Sequence, residues 1–211
     1  MFGILNFGTF ILAGIILNLT PGADTMYILG RSISQGKKSG IVSALGISSG
    51  AFLHCIFAAL GLSILLAKSA VAFSIVKYIG AGYLIYLGIK SLVSKSTNNK
   101  EPFLENARTQ NYSKVYLSGI LTNLFNPKVA LFFLAFLPQF IDSNYATSAL
   151  PFLILGLTFV ATGTTWCLIL AFFSARLAGK IRKNKKIKLW LDKTTGVLFI
   201  FLGIQLALSK K

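Results

Sequence analysis

Acidic residues are nearly missing from this chain: five Asp and Glu stand against 21 Lys and Arg in 211 residues. Charged residues make up 12% in all, where a soluble domain carries about a quarter. That is too few to coat a globule. Histidine occurs once, as His54, and the two cysteines, Cys55 and Cys167, have no CxxC spacing. Divalent metal binding needs more carboxylates and imidazoles than this, so no metal or other cofactor is expected. An intramembrane enzyme would need a nucleophile with a base, and a lone histidine among scattered carboxylates offers no such set. The cysteines fall in apolar stretches and read as small packing residues.

What is present is apolar. Hydrophobic residues reach 55% and the mean hydropathy is +0.73. They come in six long blocks, near 2–29, 41–66, 71–92, 115–140, 150–173 and 194–208, the last beginning near Leu189. Roughly 18 apolar residues cross about 30 Å of hydrocarbon as a helix. A β-barrel would show short alternating strands instead. No basic residue precedes the first block and no small-residue cleavage site follows it, so it reads as a retained helix. The expectation is an all-α membrane protein of six transmembrane helices in one domain over 1–211.

The excess of positive charge is unevenly placed. Arg31, Lys37 and Lys38 fall in the first connection, Lys90 to Lys114 around the third, and Arg176 to Lys193 around the fifth. These alternate connections hold most of the basic residues. Cytoplasmic loops collect Lys and Arg, so both termini are expected outside the cytoplasmic membrane. The basic run 180–188 reads as an anchor on anionic lipid, and no nucleic-acid partner is expected. The polar stretch 94–114 reads as a cytoplasmic linker.

Two features recur at about half the chain length. Asn18-Leu-Thr-Pro21-Gly22 lies in the first block, and Asn123-Leu-Phe-Asn126-Pro127-Lys128 in the fourth. Tyr86-Leu-Gly88-Ile in the third block matches Phe201-Leu-Gly203-Ile in the sixth. Three spans per half would make the halves inverted repeats, 1–93 and 115–211, with proline-broken helices 1 and 4. In transporters of that kind, interrupted segments at matching positions mark the binding site. From Pro21 to Arg31 is roughly 15 Å at helical rise, and from Lys114 to Pro127 roughly 20 Å, so both breaks fall near mid-membrane.

Thr20 and Asn126 precede the prolines, and both residue types cap helix N-termini while proline suits the first helical position. Each break then presents free N–H groups and a partial positive charge, a seat for a carboxylate. The plainer reading is a kink whose freed carbonyl finds a neighbour. Asp24 is the only acidic residue deep in a block, and Lys128 lies beside the second break. A charge at the bilayer centre costs about 2.5–3.5 kcal/mol on insertion scales, so each should face a cavity or a partner. A direct Asp24–Lys128 ion pair is the competing reading. The candidate binding residues are Asn18, Thr20, Asp24, Asn123, Asn126 and Lys128, with Pro21, Gly22 and Pro127 as the breaks and Asp24 as the proton-coupling group. His54 reads as packing or helix-bridging, with a proton relay as the sharper option. Gly46-Ile-Ser-Ser-Gly50 reads as a close helix contact rather than a dimer interface.

At these residues the chain resembles the LysE/RhtB family of bacterial amino-acid exporters. The matching stretches are Leu19-Thr-Pro-Gly-Ala-Asp24-Thr, Gly30-Arg-Ser-Ile-Ser-Gln-Gly36 on to Ala44-Leu-Gly46, and Asn123-Leu-Phe-Asn-Pro-Lys128 on to Phe136-Leu-Pro-Gln-Phe140. Ala23 departs from the pattern, where the family commonly has a second proline; Pro21 and Gly22 keep the break. The resemblance implies export of amino acids or their derivatives by proton antiport, with weight on Pro21, Asp24, Asn126, Pro127 and Lys128. The expected partners are an amino-acid substrate, protons and membrane lipid, with a homo-oligomer left open. A passive channel or a transporter of another small solute is the alternative.

Overall fold

The computed structural model describes residues 2–62, 70–93 and 111–183, and separate helical positions between 193 and 208. Most of the expected linker 94–114, most of the basic run 180–188 and part of the sixth block lie outside the described residues. Among the described residues the chain forms seven α-helices and no strand beyond one bridge between Ile4 and Ile141.

The first block folds as two helices, α1 (Phe7–Leu19) and α2 (Ala23–Gln35), bent by 46°. Only Gly36 separates α2 from α3 (Lys37–Phe57), which runs into a wide π turn at Ala58–Leu62. Gly36 takes φ +85°, the left-handed region that favours glycine, and so turns the chain in one residue. Helix α2 therefore continues past Leu29, and Arg31 is helical rather than in a loop. Helix α4 spans Ala70–Val93. The fourth block is again broken: α5 (Tyr112–Leu124) meets α6 (Pro127–Leu131) and a π turn at Phe132–Phe136, bent by 48°. Helix α7 covers Ala149–Lys183. By length and composition α3 with its π turn and α7 can each cross a membrane, as can each bent pair taken as one span.

Small residues set the packing. Lipid gives helices no hydrophobic drive to associate, so close backbone approach matters more than in water. Gly46 lies against the Tyr116 carbonyl and Gly119, where α3 meets α5. Gly50, one turn later, lies against Asn123 and the Ile120 carbonyl. The small residues of α3 thus serve contact within the chain, as expected from their spacing. On the other side Gly14 and Gly163 bring α1 and α7 together, against Phe159 and Asn18 respectively. Gly88 of α4 faces the Gly196 carbonyl and Ile200, while Gly203 faces the Ala81 carbonyl and Ile85. The two glycines matched in sequence therefore each face the other's segment, at different places along it. Beneath the second break Phe10, Phe132, Phe133, Phe136, Phe140 and Phe159 fill the core, with Phe132 stacked on Phe159 at 4.2 Å between ring centres.

A branched side chain at Gly46 has no room. Gly46→Val should lower stability by about 1–3 kcal/mol or more, read as thermal unfolding in detergent. Gly8 has open space around it. Gly8→Ala should leave the transition unchanged or raise it.

Candidate functional site

Each proline removes one hydrogen bond. Lacking an N–H, it leaves the carbonyl four residues earlier without its helical donor, and hydrocarbon offers no water in exchange. At the first break that carbonyl belongs to Leu17. It is held by the Thr20 N–H at 3.2 Å and by Lys128 Nζ, which donates at 3.2 Å from the other half of the chain. The same ammonium donates to the Thr20 carbonyl at 3.0 Å. At the second break the carbonyl is that of Asn123. It accepts from the Asn126 N–H at 2.9 Å and lies 3.3 Å from His54 Nε2 on α3. A carbonyl can only accept, so Nε2 carries the proton. Each break is thus closed by a basic side chain from a different helix.

The capping differs between the breaks. Asn126 caps α6, accepting from the Lys128 N–H at 3.1 Å, with Pro127 at the first helical position. Thr20 does not cap α2. Its hydroxyl donates back to the Ile16 carbonyl at 2.8 Å and it ends α1, while α2 starts from Gly22. The reason is local: once the Thr20 hydroxyl is used on α1, Pro21 and Gly22 are left as an extended step between the helices. Lys128 Nζ lies in that step, 3.3 Å from where a Gly22 side chain would begin.

Asp24 sits in the first turn of α2, where the helix dipole favours an anion. Its Oδ2 accepts from Asn123 Nδ2 at 3.0 Å. Asp24 and Lys128 are not joined directly; each has its own polar partners. The position of Lys128 at the start of α6 disfavours a cation, but its ammonium reaches the C-terminal carbonyls of α1, where a cation is favoured. A bound anion is therefore not needed to explain its place.

Asn18, Asp24, Asn123 and Lys128 line one cavity of about 30 Å³. Thr20 and Asn126 are buried at the breaks but do not line it. Asn18 Nδ2 donates to Thr162 Oγ1 at 3.2 Å, and Thr164 Oγ1 to Ser48 Oγ at 2.9 Å. Three buried polar atoms of the lining have no protein partner: Asp24 Oδ1, Asn123 Oδ1 and Trp166 Nε1. The rest of the wall is largely apolar, including Ile47, Ala51, Val129, Phe159 and Val160. Sequence reading took Ser48 only as part of a helix contact, and missed Gly163, Thr164 and Trp166 because the fifth block has no break. The run Thr162-Gly-Thr-Thr-Trp166 was the available signal. Among the described residues no group of His, Cys, Asp and Glu could hold a metal ion.

Two broken apolar helices thus bring polar groups to the wall of one cavity. The sequence model of the LysE type translocators matches residues 15–210, and the chain belongs to that family. It is 34% identical over 197 residues to YrhP, an uncharacterized membrane protein of Bacillus subtilis, covering 90% of this chain and 93% of that one. It is 31% identical over 207 residues to an uncharacterized membrane protein of Pseudomonas aeruginosa, covering 97% and 96%. To the leucine efflux protein of Salmonella typhimurium it is 30% identical over 206 residues, covering 98% and 96%. No solved structure matches. Membership in that family makes the chain a translocator.

Asn126→Ala removes the cap of α6 and should cost about 1 kcal/mol of stability. Asn126→Ser should restore most of it. Unfolding of the purified variants in detergent measures both.

Proposed function

We propose that this protein exports amino acids from the cytoplasm in exchange for protons, across the cytoplasmic membrane. The observation that carries this reading is the pairing of the one deep carboxylate, Asp24, with Asn123 across the two halves of the chain. Asp24 would take the proton or the substrate ammonium in turn. Its second oxygen, Oδ1, is buried without a protein partner and so is free to receive either. The substrate carboxylate would go to Lys128 and the N-terminus of α6. Asn18 and Asn123 would complete the polar end, with Thr20 and Asn126 holding the breaks in shape.

The cavity has room for a water or two and not for an amino acid. The described state is then a closed one, and transport requires that the halves move. Six spans as inverted repeats, 1–93 and 115–211 about a cytoplasmic linker, with both termini outside, suit such movement. Asn18 lies against Gly163 and Asn123 against Gly50, one asparagine before each break on a glycine of an unbroken helix. That correspondence supports the repeat. The apolar walls and the leucine efflux relative make leucine and similar apolar amino acids the first substrates to try.

The test is efflux from cells loaded with dipeptides, followed by proteoliposomes at varied pH. Leucine or a related amino acid should appear outside, faster with an inward proton gradient. Flux that ignores added protons would indicate a channel instead. Asp24→Asn should slow efflux at least about tenfold and remove its pH dependence, as expected when the sole membrane carboxylate carries the proton. Full transport with full pH dependence would refute the role. Lys128→Ala should lose both apparent affinity and stability, since its ammonium also serves the first break. Lys128→Arg should keep the stability, because its guanidinium still donates to the same carbonyls.

A further inference from the structure

We infer that His54 is a positioning residue for Asp24, acting through Asn123. The inference rests on the reading of Asp24 as the working carboxylate. Asn123 is 2% exposed and makes two separate contacts that matter here. Its side-chain amide donates to Asp24, and its main-chain carbonyl meets His54 Nε2. Pro127 supplies no N–H to that carbonyl, and the Asn126 N–H takes it at 2.9 Å instead. Its direction therefore depends on what else holds it, and the imidazole is the group that arrives from another helix. His54 is itself fixed, stacked on Phe133 with 5.7 Å between ring centres and an interplanar angle of 14°.

Gly50 completes the cradle. It precedes His54 by one helical turn, so both face α5 from the same side of α3. A side chain begun at Gly50 would meet Asn123 Cβ at 2.8 Å and the Ile120 carbonyl at 2.8 Å. Asn123 thus sits between a glycine that lets it approach and a histidine that holds its main chain. The amide that results points at Asp24 from the opposite half of the molecule. His54 does not line the cavity, and its part is to fix the partner of the group that does.

Reaction with a membrane-permeant carbodiimide reads this directly, because the reagent modifies carboxyl groups inside the bilayer. The full-length protein in vesicles is treated, and mass spectrometry of its peptides follows the adduct on Asp24. His54→Leu keeps the volume and loses the donor. The rate of Asp24 labelling should rise roughly tenfold, the scale of one hydrogen bond to a charged group. His54→Gln supplies an amide donor and should return labelling to near the wild-type rate. Gly50→Ala leaves the imidazole in place and displaces Asn123 instead, and labelling should rise again. Should His54→Leu not fold, His54→Met, which also lacks a donor, takes its place. A folded His54→Leu or Gly50→Ala protein that labels at the wild-type rate overturns the inference. So does failure of His54→Gln to restore the wild-type rate, since packing alone would then account for the residue. A wild-type protein that exports none of the amino acids tried would remove the transport reading but leave the labelling comparison standing.

Discussion

A proline in a membrane helix strands the carbonyl one turn before it, and lipid holds no water to satisfy that group. Both broken helices of this protein face that problem at the middle of an apolar segment. In each case a nearby backbone N–H takes the carbonyl, and a basic side chain from elsewhere in the chain meets it as well: Lys128 at Leu17 and His54 at Asn123. The side-chain contacts are not local. Each ties a break in one segment to a helix far away in sequence, so the breaks cannot form independently of the packing around them. Asn18, Asp24, Asn123 and Lys128 line one cavity beside the two closures.

Helix dipoles make the same arrangement tolerable for charge. A break gives one helix a C-terminus and the next an N-terminus within a few residues. Asp24 lies at the start of α2 and the Lys128 ammonium at the end of α1, so opposite charges sit at opposite dipole ends of a single bent segment. The two need not touch. Asp24 Oδ1 is left buried without a protein partner.

Close backbone contact does the remaining work. Gly46 and Gly50 of α3 admit α5, and Gly163 of α7 admits Asn18 of α1. These contacts place one asparagine from each broken helix against an unbroken one. The pattern was partly legible in the chain, since Gly46-Ile-Ser-Ser-Gly50 has the spacing of a helix contact. Which helix fills it was not, because many apolar surfaces are alike. Trp166 and Thr164 went unread for a related reason: an unbroken helix gives no sign of which polar residues turn inward.

The sequence by itself determined the helical membrane class, the two breaks, and the residues Asp24, Asn123, Asn126 and Lys128 around them. Hydrophobic length and proline chemistry are local properties, and they read directly from the residues. The cap at Asn126 was equally local and formed as its residue type and the following proline dictate. Thr20 shows where local reading stops, since its hydroxyl is used on α1 and α2 starts from Gly22 instead. Only the tertiary structure decided the partners: Lys128 with α1 carbonyls rather than with Asp24, Asp24 with Asn123, and His54 with the carbonyl freed by Pro127. The physical reason is that a buried polar group takes whichever donor or acceptor the packing brings within 3 Å or so, and packing depends on the whole chain.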